Sequence, residues 1–466
     1  MKNNFLTKIF KSKYFLIVMQ LITITAFTLL IIGSIGVDTG NNFKITKIIQ
    51  HTNLPNLLVW SYWFSLIIIV AIIFGRFWCS VCPMELIISI FNRLGLKKKP
   101  GKFMKSGWLV TILYTIILIF GIHVFLIQWL PMRMALYMLS LLSIVIIVSL
   151  IWEKRTFCNY VCPIGFLLKL YSLFSTIRIK NKSKEVCKNC KTRDCISKKN
   201  HYNFIKRSCT SNVNPPDLKY QNDCILCGQC IKTCPNDNLK IGYSKPSLKK
   251  IANINFSSSE ISFIVIIAGL VLWEILFKWE VARGFYLAPL YFISNLFGFA
   301  DNFFKIIKAL FFFIIYPSFL FLIFSLIMKY FSKKSLKDCL GNIVISILPI
   351  IIIMHLLSAI LIMIEHSVYI PLAISDPIGF DTATAILNKT ILVNRTEYIP
   401  WLVTLLCITL PIIGFIISYK IIKLRKNNKA QKTIALLTSF VYFALFEFSL
   451  IGWRFDLIEP FLKTCN

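Results

Sequence analysis

A mainly α-helical, polytopic membrane protein of about nine transmembrane helices, interrupted by one small α+β insert, is the fold class that three observations predict. Of 466 residues, 57% are hydrophobic and 40 are Phe, where a soluble chain is nearer half apolar; mean hydropathy is +0.71. Apolar runs of about 20 residues, enough to cross a bilayer, recur along the chain at 14–36, 57–77, 108–130, 134–152, 260–279, 306–328, 340–364, 400–422 and 432–453. The polar stretch between the fourth and fifth runs carries two tight groups of four cysteines.

The first run is too long for the core of a signal peptide and lacks a small-x-small cleavage pattern, so it reads as a retained helix. Net charge is +32. Its placement favours topology signals over nucleic-acid binding, because Lys and Arg concentrate in short loops between spans. Lys2, Lys8, Lys11 and Lys13 put the N-terminus in the cytoplasm. The loops 78–107, 153–259, 329–339 and 423–431 then face inward, and each is basic. Loops 37–56, 131–133, 280–305 and 365–399 face outward and hold fewer cations. Nine spans leave the C-terminus outside. Residues 285–299 are apolar enough for an interfacial or re-entrant segment. Three parts follow: 1–178, four spans in two repeats; 179–250, the cytoplasmic insert; 251–466, five spans. The expected location is the inner (cytoplasmic) membrane of a bacterium.

Residues 224–235 read Cys-Ile-Leu-Cys-Gly-Gln-Cys-Ile-Lys-Thr-Cys-Pro. This C-x2-C-x2-C-x3-C-P run is the bacterial ferredoxin ligand pattern for a [4Fe–4S] cluster, whose iron takes soft thiolates. Zinc sites more often come as separated C-x2-C pairs. Upstream, Cys187, Cys190 and Cys195 precede Cys209 with looser spacing. In two-cluster ferredoxins the fourth Cys of each run ligates the other cluster. That rule predicts one site from Cys187, Cys190, Cys195 and Cys234 and another from Cys209, Cys224, Cys227 and Cys230. Thiols facing a reducing cytoplasm favour metal over disulfides. The insert is therefore a ferredoxin-like domain with two clusters.

Four more cysteines form an internal repeat. Arg76-Phe-Trp-Cys79-Ser-Val-Cys82-Pro83 ends the second span, and Arg155-Thr-Phe-Cys158-Asn-Tyr-Val-Cys162-Pro163 ends the fourth. Amphipathic stretches follow at 84–94 and 164–174. Cys79, Cys82, Cys158 and Cys162 are candidate redox thiols or metal ligands, since closely spaced pairs often have lowered thiol pKa; the plainer alternative is four small buried hydrophobes. Cys339, Cys407 and Cys465 have no sequence neighbour of their kind.

The Cys-x3-Cys-Pro motif at 158–163, its shorter counterpart at 79–83 and the 224–235 run resemble the NapH/NosR-type membrane polyferredoxins over about residues 55–240. The resemblance implies electron transfer between the quinone pool and a respiratory reductase system, as in anaerobic respiration, or electron supply for maturing a metal site. The first motif is one residue shorter than the family's.

His123, His355 and Glu447 are ionisable groups placed inside spans, where such groups are costly and usually functional. The histidines can be packing residues, quinol or proton sites, or axial ligands of a haem b. Glu274, Glu365 and His366 stand near the outer interface. No P-loop or Gly-rich dinucleotide fingerprint occurs. The function expected is membrane-bound iron–sulfur electron transfer, a quinol dehydrogenase-type subunit serving a redox partner protein. An accessory factor that reduces a metal site or disulfide, and a redox sensor, are the alternatives.

Overall fold

The computed structural model describes residues 5–40, 42–203, 206–211, 213–215, 222–298, 301–393 and 400–455; Lys2 and Cys465 lie outside them. It is 74% helical. Eight helices are long and apolar enough to span a membrane: Phe15–Ile32, Leu54–Val81, Pro131–Ile151, Ser258–Leu276, Phe303–Ser332, Leu336–Ser375, Pro400–Leu424 and Lys429–Arg454. The protein is a multi-pass membrane protein. The run expected at 108–130 is shorter, a helix over Trp108–Val124. Its second half is a wider π-turn, Ile117–Val124, and Leu126 at φ 49° ends it. A π-turn packs fewer Å of rise into the same residues, so this element covers less membrane than its apolar length suggests. The segment expected to be interfacial is a helix, Glu280–Phe297, with Phe285, Phe292 and Phe297 largely exposed along it.

The chain falls into two compact units. The first comprises residues 1–110, 127–246 and 369–392 and holds all twelve clustered cysteines. Its two repeats share a local geometry that proline imposes. A residue before Pro is pushed out of the α region, and Pro itself suits the first turn of a helix. Cys82 (φ −58°, ψ 138°) and Cys162 (φ −74°, ψ 113°) are accordingly extended, and helices Pro83–Leu94 and Pro163–Tyr171 start directly after them. Each motif is thus a helix–break–helix with its second thiol at the break. In the longer second motif, Val161 follows the short helix Thr156–Tyr160 in a non-helical conformation. In the first repeat the chain bends at Gly75, whose φ of 64° suits glycine and where a Cβ would come within 3.2 Å of the Ser175 hydroxyl.

The insert is built on a two-stranded antiparallel ribbon, β1 (Ile177–Asn181) and β2 (Leu239–Tyr243), with Ile179 opposite Ile241. Alternation turns Ile179, Leu239 and Ile241 inward. Two strands alone are marginal. Here their apolar face is covered by Ile231, Leu226 and Phe10, the last from the N-terminal helix Phe5–Lys11. The Thr7 hydroxyl accepts from the Ile241 amide at 3.2 Å, and Lys11 and Lys182 pair with Asp237 at 2.9 and 3.1 Å. The first helix therefore belongs to the insert's core as well as preceding the first span.

The second unit comprises residues 111–126, 247–368 and 393–466. Helix Leu336–Glu365, like Ser258–Leu276, is largely buried in this unit. Small residues let helices approach it, as is usual without a hydrophobic driving force in lipid. Gly414 lies against Ile350, and the hydroxyls of Ser418 and Ser439 both reach the Ser346 carbonyl.

Candidate functional site: two four-thiol pockets and a membrane thiol set

Folding the ribbon interleaves the two cysteine runs. Helix Lys184–Lys188 carries Cys187, and helix Gln229–Thr233 carries Cys230. Cys234 ends the latter helix and swings towards the upstream run. One cavity, about 150 Å³, is lined by Cys187, Cys190, Cys195 and Cys234. A second and narrower one, about 20 Å³, is lined by Cys209, Cys224, Cys227 and Cys230, with Ile179, Ile225 and Val213. These are the two sets that the exchange of the fourth cysteine predicts. Cys195 of the first set lies within electrostatic reach of Cys230 of the second, so the pockets are neighbours.

The donor chemistry fits iron–sulfur clusters. Burial, and then the neighbouring thiols, push Cys195 up to about 11. Burial likewise pushes Cys224 up to about 12, against a backbone hydrogen bond that lowers it. Four such thiols ionise together only with a cationic centre among them. Amides already point at the sulfurs: Leu226 N–H at Cys224 Sγ, 3.4 Å; Asn238 N–H at Cys234 Sγ, 3.4 Å; and the Asn238 side-chain amide at Cys187 Sγ, 3.0 Å. Such hydrogen bonds help set cluster potentials. Among the described residues no three His, Cys, Asp or Glu side chains form a group that can hold a single metal ion. One ion needs all its thiolates at about 2.3 Å, whereas a cluster spreads them over several irons.

The four Cys-Pro thiols also converge. Every pair among Cys79, Cys82, Cys158 and Cys162 is within electrostatic reach, and Cys79 and Cys158 are buried. Cys162 Sγ accepts from the Gly165 amide at 3.3 Å. Gly165 is required there by packing, since a Cβ would meet the Cys158 carbonyl oxygen at 2.5 Å.

The arginine before each motif reaches across to the other repeat. Arg76 is 2% exposed and donates to the carbonyls of Cys158 (3.3 Å) and Asn222 (3.4 Å). Arg155 donates to Glu85 Oε1 at 2.7 Å and to the Ser211 hydroxyl at 3.0 Å. Arg207 donates to the same carboxylate oxygen at 2.5 Å. Sequence reasoning singled out both repeat arginines but missed Glu85 and Arg207. Glu85 sits three residues after Cys82, an acid in the first turn of a helix and next to a thiol motif; that was the available signal.

In the second unit His123 Nδ1 meets the Leu118 carbonyl at 3.2 Å, and its ring stands edge-on to Trp273 and Phe313. His355 is buried in Leu336–Glu365 and within electrostatic reach of Glu274. One carboxylate oxygen each of Glu274 and Glu447 is buried without a hydrogen-bond partner among the described residues. Glu365 pairs with Lys278 at 2.5 Å.

Comparison with known proteins points the same way. A 4Fe-4S binding domain family matches residues 56–102 and 134–182, which are the two Cys-Pro repeats. A second 4Fe-4S binding domain family matches residues 219–240. Two uncharacterized proteins of Methanocaldococcus jannaschii are similar to the chain. One is 24% identical over 198 residues, 39% of this chain and 71% of that protein. The other is 25% identical over 197 residues, 38% and 76% respectively. The ferredoxin-type protein NapH of Haemophilus influenzae is 29% identical over 94 residues, 20% of this chain and 32% of that protein. No solved structure matches.

Proposed function

We propose that this chain, whose matches support a membrane polyferredoxin of NapH type, passes electrons between the quinone pool and a respiratory reductase system. An iron–sulfur electron-transfer role is what the binding-domain matches and the NapH similarity support. The finer reading gives it two [4Fe–4S] clusters. Cys187, Cys190, Cys195 and Cys234 would hold one, and Cys209, Cys224, Cys227 and Cys230 the other. Bound there, each cluster supplies a one-electron carrier whose potential the protein tunes through burial, charge and hydrogen bonds to sulfur.

The observation that carries this reading is the position of Arg155. Its guanidinium is in electrostatic reach of Cys158 in the membrane motif and of Cys227 in the second pocket. The membrane thiols and the insert are therefore neighbours, as a path from bilayer to ferredoxin requires. The first pocket offers the other end of the path. Lys184, Lys188 and Arg193 line it, a basic rim suited to steering an acidic redox protein. The basic loops support a cytoplasmic position for this face.

A quinol gives up two electrons and two protons, so oxidation there needs proton acceptors as well as the two carriers. His123, His355 and Glu447 are the intramembrane groups proposed for proton handling, with a haem b as the other use of the histidines. A pyridine haemochrome assay separates these uses. The experiment for the main reading is anaerobic purification followed by addition of a menaquinol analogue. EPR should show the clusters reduced. A preparation with full iron that stays oxidised would contradict quinol oxidation and favour the alternative, an accessory factor that delivers electrons to a metal site or a disulfide.

A further inference from the structure

Three charged side chains from three parts of the first unit meet out of water. Glu85 belongs to the first repeat, Arg155 to the second, and Arg207 to the insert. Their side chains are 1%, 3% and 9% exposed. Both arginines use Glu85 Oε1, while Glu85 Oε2 has no hydrogen-bond partner among the described residues. Two cations share one anion, so the group carries a net charge of about +1.

Stability is a weak explanation for such a group. Desolvating ions costs about as much as their attraction returns, and apolar replacements are often as stable. Its surroundings suggest a different use. Arg155 starts the Cys158 motif, and its other nitrogen holds Ser211, which lines the second pocket. It is in electrostatic reach of Cys158, Cys209, Cys224 and Cys227. Arg207 lies two residues before Cys209, and its carbonyl accepts from Thr233 on the helix that bears Cys230. Neither arginine lines the first pocket, and nor does Ser211, through which Arg155 meets the second. The charge is therefore placed between the membrane thiols and the second pocket and away from the first.

We propose that Glu85, Arg155 and Arg207 form a potential-setting group shared by the membrane thiols and the second ferredoxin site. This rests on the cluster reading above. A reduced cluster is one unit more negative than an oxidised one, so a buried positive charge beside it stabilises the reduced form and raises the midpoint potential. Glu85 moderates that effect by cancelling one of the two guanidinium charges. These are positioning residues, acting on the centres through charge and not touching a substrate.

The test is a redox titration by EPR of the full-length protein, comparing the two ferredoxin sites in each variant. Glu85→Gln removes the anion and should raise the potential of the second site. Arg207→Gln leaves the Arg155–Glu85 pair neutral and should lower it. In both, the first site should move less. Opposite shifts that are larger at the second site are the expected result. Equal shifts at both sites, or none, in variants that keep their iron overturn the proposal. So does loss of iron from both variants with unshifted potentials in the fraction retained, the mark of a merely structural clamp. A wild-type chain that binds no iron would overturn the underlying reading, and this proposal with it.

Discussion

Replacing Cys234 by Ser should disable the pocket formed by Cys187, Cys190 and Cys195, not the one formed by the cysteines beside it in sequence. Cys234 closes the run that begins at Cys224, so a chain read linearly would lose the second site. The fold separates them. Cys234 follows the helix bearing Cys230, and its sulfur emerges among the upstream thiols. Cys209 makes the reverse exchange and lies with Cys224, Cys227 and Cys230. Cys209→Ser should therefore disable the second site. Each variant should drop iron from about eight to about four per chain, because each [4Fe–4S] cluster needs four thiolates and a hydroxyl is a poor ligand for soft iron. EPR identifies which cluster survives. Cys234→Ser sparing the cluster held by Cys187, Cys190 and Cys195, with Cys209→Ser sparing the one held by Cys224, Cys227 and Cys230, would mean that the two runs bind separately and that the exchange is wrong.

Replacing Cys158 and Cys162 by Ser should stop electron transfer from quinol while leaving the insert's iron in place. The two thiols are outside both ferredoxin pockets, so no cluster ligand of the insert is lost. The helix break at Cys162 is set by Pro163 and survives the change. What disappears is half of a thiol set in which every member lies within electrostatic reach of the others. The measurement pairs iron content with the rate of cluster reduction after menaquinol addition. Wild-type reduction rates in the double variant would leave these thiols as packing residues. A rate that collapses together with the iron would show that the motif supports the insert's folding rather than the transfer.

The grouping of the cysteines was readable because their spacing is local and the exchange rule says which thiols meet. The repeat was readable for the same reason: Arg, Cys, Cys and Pro recur in one order. Spans were readable from apolar length, except at 108–130, where the π-turn over Ile117–Val124 and the bend at Leu126 cut the helix short. Neither leaves a mark on hydropathy. The Glu85 group was not readable, because its partners are 70 and 122 residues away and one acid on an amphipathic helix has no periodic signature. The docking of Phe5–Lys11 on the insert was hidden similarly. Its lysines satisfied a topology signal, and that masked the apolar face carrying Phe10, which only the ribbon's exposed side called for.

Iron and acid-labile sulfide, counted in the anaerobically purified chain alongside EPR of the dithionite-reduced protein, test the central claim most directly. Two interleaved four-thiol sites predict at least about eight irons and eight sulfides per chain, with spectra of two magnetically interacting [4Fe–4S] clusters. Zinc without sulfide, or about four irons and the spectrum of one isolated cluster, would contradict it.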